Sequence, residues 1–352
     1  MMEKMFVRVG LAAFLIAFCG TGAFAQKKGA PGPDSLLVSA AVNGDVEALL
    51  SALGKKANPN VRDEEGVPVI VHTIMAGHTD AVAALIAAGA DVNAKTTGGY
   101  TPVMFASGKG VAQTVRTLLD SGADVNARTD HGETALIIAS REGEDEAAKI
   151  LIQGGARVSD ANDFGQTPMM TAAGANAEEI VEALAAMGAD IDGKDMEGNT
   201  PLIYAAESGA EAAIATLILK KAEINKADAR GRTPLYAAIQ WGRESSAAIL
   251  IESGANVRAR KTDGATPLMI ASRRGLEGVM HSLLLKGADI NARDNNGDTP
   301  LIWSVRANRA DAARMLVKRG AKVTIVNRKG ETAQTFAKGK KEMLEALKGA
   351  GR

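Results

Sequence analysis

The side chains in this chain of 352 residues that could do chemistry are few, and their spacing argues against a shared reactive site. The four histidines, His72, His78, His131 and His281, fall at unrelated phases of the repeat described below. Asp91, Asp124, Asp190 and Asp289 do share one phase, where an aspartate is expected to hydrogen-bond its own turn. The sequence has no G-x-S-x-G, phosphate-loop, H-E-x-x-H or calcium-loop pattern. Cys19 is the lone cysteine, and it lies in a segment expected to be removed. An enzyme is therefore not expected, and neither a metal nor a cofactor is called for.

The elements that position these residues are set by a phrase that returns every 33 residues. It reads Thr101-Pro102-Val103, Thr134-Ala135-Leu136, Thr167-Pro168-Met169, Thr200-Pro201-Leu202, Thr233-Pro234-Leu235, Thr266-Pro267-Leu268, Thr299-Pro300-Leu301 and Thr332-Ala333-Gln334. Pro68 and Ser35 take the threonine position in two weaker copies, which makes about ten units from residue 34 to the end. A fixed period of this length marks stacked units that each bury only part of a core.

Within a copy, glycine two residues before the threonine (Gly66, Gly99, Gly132 and onward) reads as a tight turn. The threonine is expected to cap a first helix that has proline at its first position. That helix stops at Gly143, Gly209, Gly242 or Gly275, or at Asn176 or Asn308 where the glycine is missing. A second helix, with apolar pairs such as Leu151-Ile152 and Leu217-Ile218, stops at Gly155, Gly188 or Gly254. Lys56 and Lys221 stand in that stop position, and a lysine held at positive φ is a strained joint.

These motifs resemble the ankyrin repeat, a β-turn followed by two helices with a T-P-L-H-x-A signature. The resemblance covers residues 34–352 and implies an all-α ankyrin solenoid, with an N-terminal cap at 34–66 and a C-terminal cap at 330–352. One departure is consistent: the histidine of the signature is replaced by Met104, Ile137, Met170, Ile203, Tyr236, Met269 and Ile302.

The resemblance also places function on the concave surface, four, seven and eight residues after the threonine. By that reading the partner-binding residues are Phe105, Ile138, Tyr204, Trp241, Arg273, Arg274, Trp303 and Arg306. Both tryptophans of an aromatic-poor chain fall in this set, and Trp and Arg are the residues most enriched in interface hot spots. Arg273 and Arg274 are expected between the two tryptophans, facing an acidic segment with apolar anchors. Glu142 and Glu207 would repel such a segment from the middle of the groove. A basic column six residues before the threonine (Arg62, Lys95, Arg128, Lys194, Arg260, Arg293) reads first as a structural face and second as a binding stripe.

Residues 1–25 are of another class. Lys4 and Arg8, the apolar run Val9 to Cys19 and the ending Ala23-Phe24-Ala25 read as a signal peptide cleaved between Ala25 and Gln26. A lipoprotein signal at Cys19 is disfavoured by bulky Phe18, and an uncleaved anchor by the shortness of the run. Residues 26–33 are expected to form a flexible leader. Removing Lys4, Arg8 and Glu3 takes 41 basic and 41 acidic residues to 39 and 40. Near-neutral charge gives no general grip on phosphate, so nucleic acid is not an expected partner. No later stretch reaches a stable membrane-spanning length.

The sequence thus predicts an exported monomer, periplasmic or secreted, that serves as a protein-binding scaffold for an unknown protein partner through its groove. The alternative is a binder of small ligands or cell-wall fragments using the same groove.

Overall fold

The structure, a computed structural model, describes residues 32–348. The expected signal peptide, its Ala25–Gln26 cleavage site and nearly all of the leader lie outside the described residues. Two compact units divide the chain, one ending at Asp130 and the other beginning at His131. The described residues are all-helical apart from one antiparallel bridge between Arg62 and Pro68.

The first unit holds three helix pairs: α1 (Pro33–Asn43) with α2 (Val46–Gly54), α3 (Val69–Ala76) with α4 (Thr79–Ala87), and α5 (Pro102–Gly108) with α6 (Ala112–Asp120). The second unit holds seven pairs. They are α7 (Ala135–Glu142) with α8 (Asp145–Gln153), α9 (Pro168–Ala175) with α10 (Glu178–Ala186), α11 (Pro201–Ser208) with α12 (Glu211–Leu219) and α13 (Pro234–Trp241) with α14 (Glu244–Glu252). Then come α15 (Pro267–Arg274) with α16 (Glu277–Leu285), α17 (Pro300–Arg306) with α18 (Ala310–Lys318) and α19 (Ala333–Ala337) with α20 (Lys341–Leu347). Within this unit each first helix packs on the next first helix, and each second helix on the next second helix.

Helices this short do not hold their shape in water alone, so capping and burial must do the work. The hydroxyls of Thr134, Thr167, Thr200, Thr233, Thr266, Thr299 and Thr332 each accept the N–H three residues on, at 3.3–3.4 Å. Ala205 and Ala206 on α11 are fully buried, small enough to let the neighbouring first helices approach. Two of the three methionines that replace the signature histidine supply an acceptor through their sulfur. Met104 Sδ takes the N–H of Thr101 and Met269 Sδ that of Thr266, both at 3.4 Å.

The two glycine columns do different jobs. Gly188, at a second-helix stop, has φ +78° and open space where a Cβ would go, so backbone conformation alone selects it. Gly198, in the hairpin, has φ +82°, and a Cβ there would lie 2.8 Å from the backbone nitrogen of Ala229 in the next copy. That close approach matches the bond from the Ala229 N–H to the Glu197 carbonyl, 3.1 Å, one of a series joining successive hairpins.

The hairpin and basic columns are structural. Asp91, Asp124, Asp190 and Asp289 each accept the N–H two residues on, at 2.9 Å. Arg62, Lys95, Lys194, Arg260 and Arg293 donate to carbonyls 33 residues further along, at 2.8–3.4 Å. The last pair buries Met343 and Leu347 beneath exposed Lys341, Glu342 and Glu345, a polar terminal cap. The first pair is less polar, with Leu36, Val42 and Leu50 exposed.

Lys56 and Lys221 adopt φ of 66° and 73°, beside Asn176 at 61° and Asn308 at 57°. Lys221 donates to the Ile218 carbonyl and Ala222 to that of Leu217, the same pair of bonds that Gly188 and Ala189 make. The helix therefore ends as its glycine-stopped relatives do, and the lysine carries the strain. Lys221→Gly should raise stability by about 1 kcal/mol, read by denaturant titration. Unchanged or lower stability would mean that Lys221 is not strained.

Candidate functional site

Positions seven and eight after the threonine are the open side of the first helices in the second unit. Arg273, Arg274, Arg306 and Trp241 are exposed there, and Glu207 is half-buried. The fourth position is not uniformly open, which corrects two of the expected site residues. Phe105 and Ile138 are buried and cannot be offered to a partner without unfolding. Phe105 instead packs against Tyr100, ring centroids 5.8 Å apart.

The polar contact of the fourth position is set by the side chain nine residues earlier, in the hairpin. Tyr204 Oη donates to Asp195 Oδ2 at 2.7 Å, and Trp303 Nε1 donates to Asp294 Oδ2 at 2.9 Å. In the first unit His72 Nε2 and Asp63 Oδ2 lie 2.7 Å apart. The other oxygen of each aspartate shapes its own turn: Asp195 Oδ1 accepts from Glu197 and Asn199, and Asp294 Oδ1 from Asn296 and Asp298. One carboxylate thus fixes a turn with one oxygen and aims a large side chain with the other. Sequence reading missed this pairing, although the joint recurrence of Asp63/His72, Asp195/Tyr204 and Asp294/Trp303 at one spacing was its visible signal.

Asp228 shows the converse. Its partner position holds Ala237, which has no donor, and Arg232 fills the gap with Nε at 2.5 Å. The same guanidinium reaches Glu207 at 2.7 Å and Asn199 at 3.0 Å. Burial opposes the charge on Arg232, but Asp228 and Glu207 outweigh it and raise its pKa. Glu207 is therefore partly neutralised, which weakens the repulsion expected from it. Burial, then the hydrogen bond and charge of Asp195, push the Tyr204 hydroxyl above its ordinary pKa, so it stays protonated. Burial likewise pushes Tyr236 up to about 12, with Asp263 adding to it.

The C-terminal part of the unit gathers the remaining site residues. The Arg273 guanidinium lies over the Trp303 ring, 5.1 Å from its centroid. Arg274 points the other way, and its Nη1 donates to the Gln240 carbonyl at 2.7 Å, beside Trp241. The two arginines therefore do not act as a pair: Arg273 stacks on a tryptophan of the next copy, and Arg274 bonds a helix-end carbonyl of the preceding one. Arg306 bonds buried Asp298 at 2.6 Å and lies 5.3 Å over Phe336. Trp241 is 44 % exposed and has no polar partner among the described residues. The carboxylates Asp195, Asp228 and Asp294 use both oxygens in fixed hydrogen bonds, an arrangement suited to holding a surface rigid.

Comparisons with known proteins agree with this geometry. The family model described as ankyrin repeats (3 copies) matches residues 37–129, 127–195, 192–261 and 258–327. No curated protein matches the chain. Among solved structures, the crystal structure of the human ASB11 ankyrin repeat domain is similar, with 26 % identity and a TM-score of 0.60. The match covers 63 % of this chain and 99 % of that one. Capped helix pairs, hairpins bonded in series and a family match over most of the chain agree, and the chain belongs to the ankyrin-repeat family.

Proposed function

We propose that this chain is an exported scaffold that holds a protein partner along the first helices of its second unit. Ankyrin repeats are protein-interaction scaffolds, which supplies the general role. One observation carries the finer reading: Arg273 is stacked on an indole that Asp294 pins in place, while Trp241 stands exposed nearby in sequence and stacking order. Large aromatic and guanidinium groups already held in place lose little freedom when a partner arrives. The partner that suits them is a protein segment with acidic side chains and apolar anchors. A photo-crosslinking amino acid at position 241 should capture that partner from a cell-envelope extract. The comparison position is 196, because Met196 and Phe164 are exposed apolar side chains on the hairpins. Capture at 196 and not at 241 would move the site to the hairpins.

Export rests on the basic start, the short apolar run and Ala23-Phe24-Ala25. Intact-mass analysis of the exported protein should give a chain beginning at Gln26. A lipid-modified Cys19 at the N-terminus would contradict that site, and an uncleaved chain would contradict export by this signal.

A further inference from the structure

From the row of cations at the ends of the first helices, we propose that the segment recognised is a polyproline-II stretch with an acidic residue at every third position. Arg243 Nε donates to the Glu207 carbonyl at 3.1 Å, Arg274 Nη1 to Gln240 at 2.7 Å and Arg309 Nε to Arg273 at 3.4 Å. Lys340 Nζ continues the row with a 3.4 Å bond to the Val305 carbonyl. Each cation sits on the C-terminal carbonyls of the preceding first helix, where the helix dipole favours positive charge. One bond uses part of a guanidinium, and among the described residues none of the four has a carboxylate within ion-pair reach.

The spacing of the row selects the ligand's backbone. The anchoring carbonyls belong to α11, α13, α15 and α17, each packed on the next, and packed helices lie about 8–10 Å apart. A polyproline-II chain advances about 3.1 Å per residue, so every third side chain falls at about 9.3 Å. An extended strand repeats a face every second residue at about 6.8 Å and drifts out of register after one step. Trp241, exposed on the last turn of α13 beside Arg274, offers a flat surface for the prolines or aliphatic residues between the acids.

A protein segment fits better than a uniform polyanion because the row has an end. The positions equivalent to Arg243 in earlier copies of the unit are Ala210, Ala177 and Glu144. Around Glu144 lie Glu142, Asp145 and Glu146, and burial followed by the neighbouring acids raises the Glu144 carboxyl. A long phosphate polymer would run from the cations onto these carboxylates, whereas a short acidic segment stops before them.

This proposal rests on the groove reading above and is tested separately from it. Labelled synthetic peptides of equal composition, with glutamates at every third or every second position among prolines, are titrated against the protein by fluorescence anisotropy. Linear polyphosphate and a single-stranded oligonucleotide serve as rival probes. The every-third peptide should bind about tenfold tighter than the every-second one, because only it engages successive cations together. Its affinity should fall steeply as salt rises. Arg274→Gln with Arg309→Gln keeps an amide donor for each helix end while removing the charge, and should weaken binding about tenfold, since only the ion pairs are lost. Equal affinity for the two peptides, tighter binding of polyphosphate or oligonucleotide, or no effect of the glutamine variants would each overturn the proposal. If the peptides fail while Trp241→Ala still releases the captured protein partner, the proposal alone falls. If the partner is indifferent to that change as well, the groove reading falls with it.

Discussion

Replacing Arg232 with alanine should cost the second unit about 3–5 kcal/mol, because the change strands a buried carboxylate. The Asp228 side chain is 1 % exposed and gives one oxygen to Arg232. Two backbone N–H groups, from Arg230 and Arg232, still reach its other oxygen, so the loss belongs nearer the lower figure. Glu207 and Asn199 lose the same guanidinium. The double change Asp228→Asn with Arg232→Met removes the charge and keeps most of the volume, and should recover much of the loss. Solenoid stability is roughly a sum of local terms, so hydrogen exchange should quicken first in α11 and α13. Denaturant unfolding of both variants measures the effect. A loss below about 1 kcal/mol in the single mutant, within the range of surface ion pairs, would show that Arg232 is not structural.

The fold was legible because its signals are local and repeat in phase. A threonine cap, a proline behind it and a glycine at each stop describe one helix pair, and most copies restate them. Even the exceptions could be read: Asn176 and Asn308 replace glycine with the next most tolerant residue, and Lys221 sits at φ 73°. The site was legible only in part, because the contact made by the fourth helix position depends on a residue nine places away. Trp303 is half-exposed and gives its ring nitrogen to Asp294, whereas Ile138 has no donor to give and is buried. The divergence of Arg273 and Arg274 was equally hidden. Neighbouring side chains on a helix point about 100° apart, and what each arginine reaches depends on the copies on either side.

The second large effect concerns the partner. Trp241→Ala and Trp303→Ala should each cost about 2 kcal/mol or more of binding, as buried tryptophan anchors do. The two changes differ in their effect on the free protein. Trp241 has no polar partner to lose, so its removal should cost the free protein only the apolar contact of its buried part. Trp303→Ala takes a donor from buried Asp294 and the stacking surface from Arg273, so a modest loss of stability should accompany it. Arg273→Ala should lower affinity and flatten its salt dependence, since its charge and its face act on the same ligand.

The measurement that bears most directly on the groove is the affinity of the crosslinked partner for the Trp241→Ala/Trp303→Ala protein, taken with hydrogen exchange of the free variant. Binding should weaken at least about thirtyfold, the equivalent of one 2 kcal/mol anchor, while exchange outside α13, α17 and their hairpins stays as in the parent. Undiminished affinity in a folded double mutant would contradict the groove as the site.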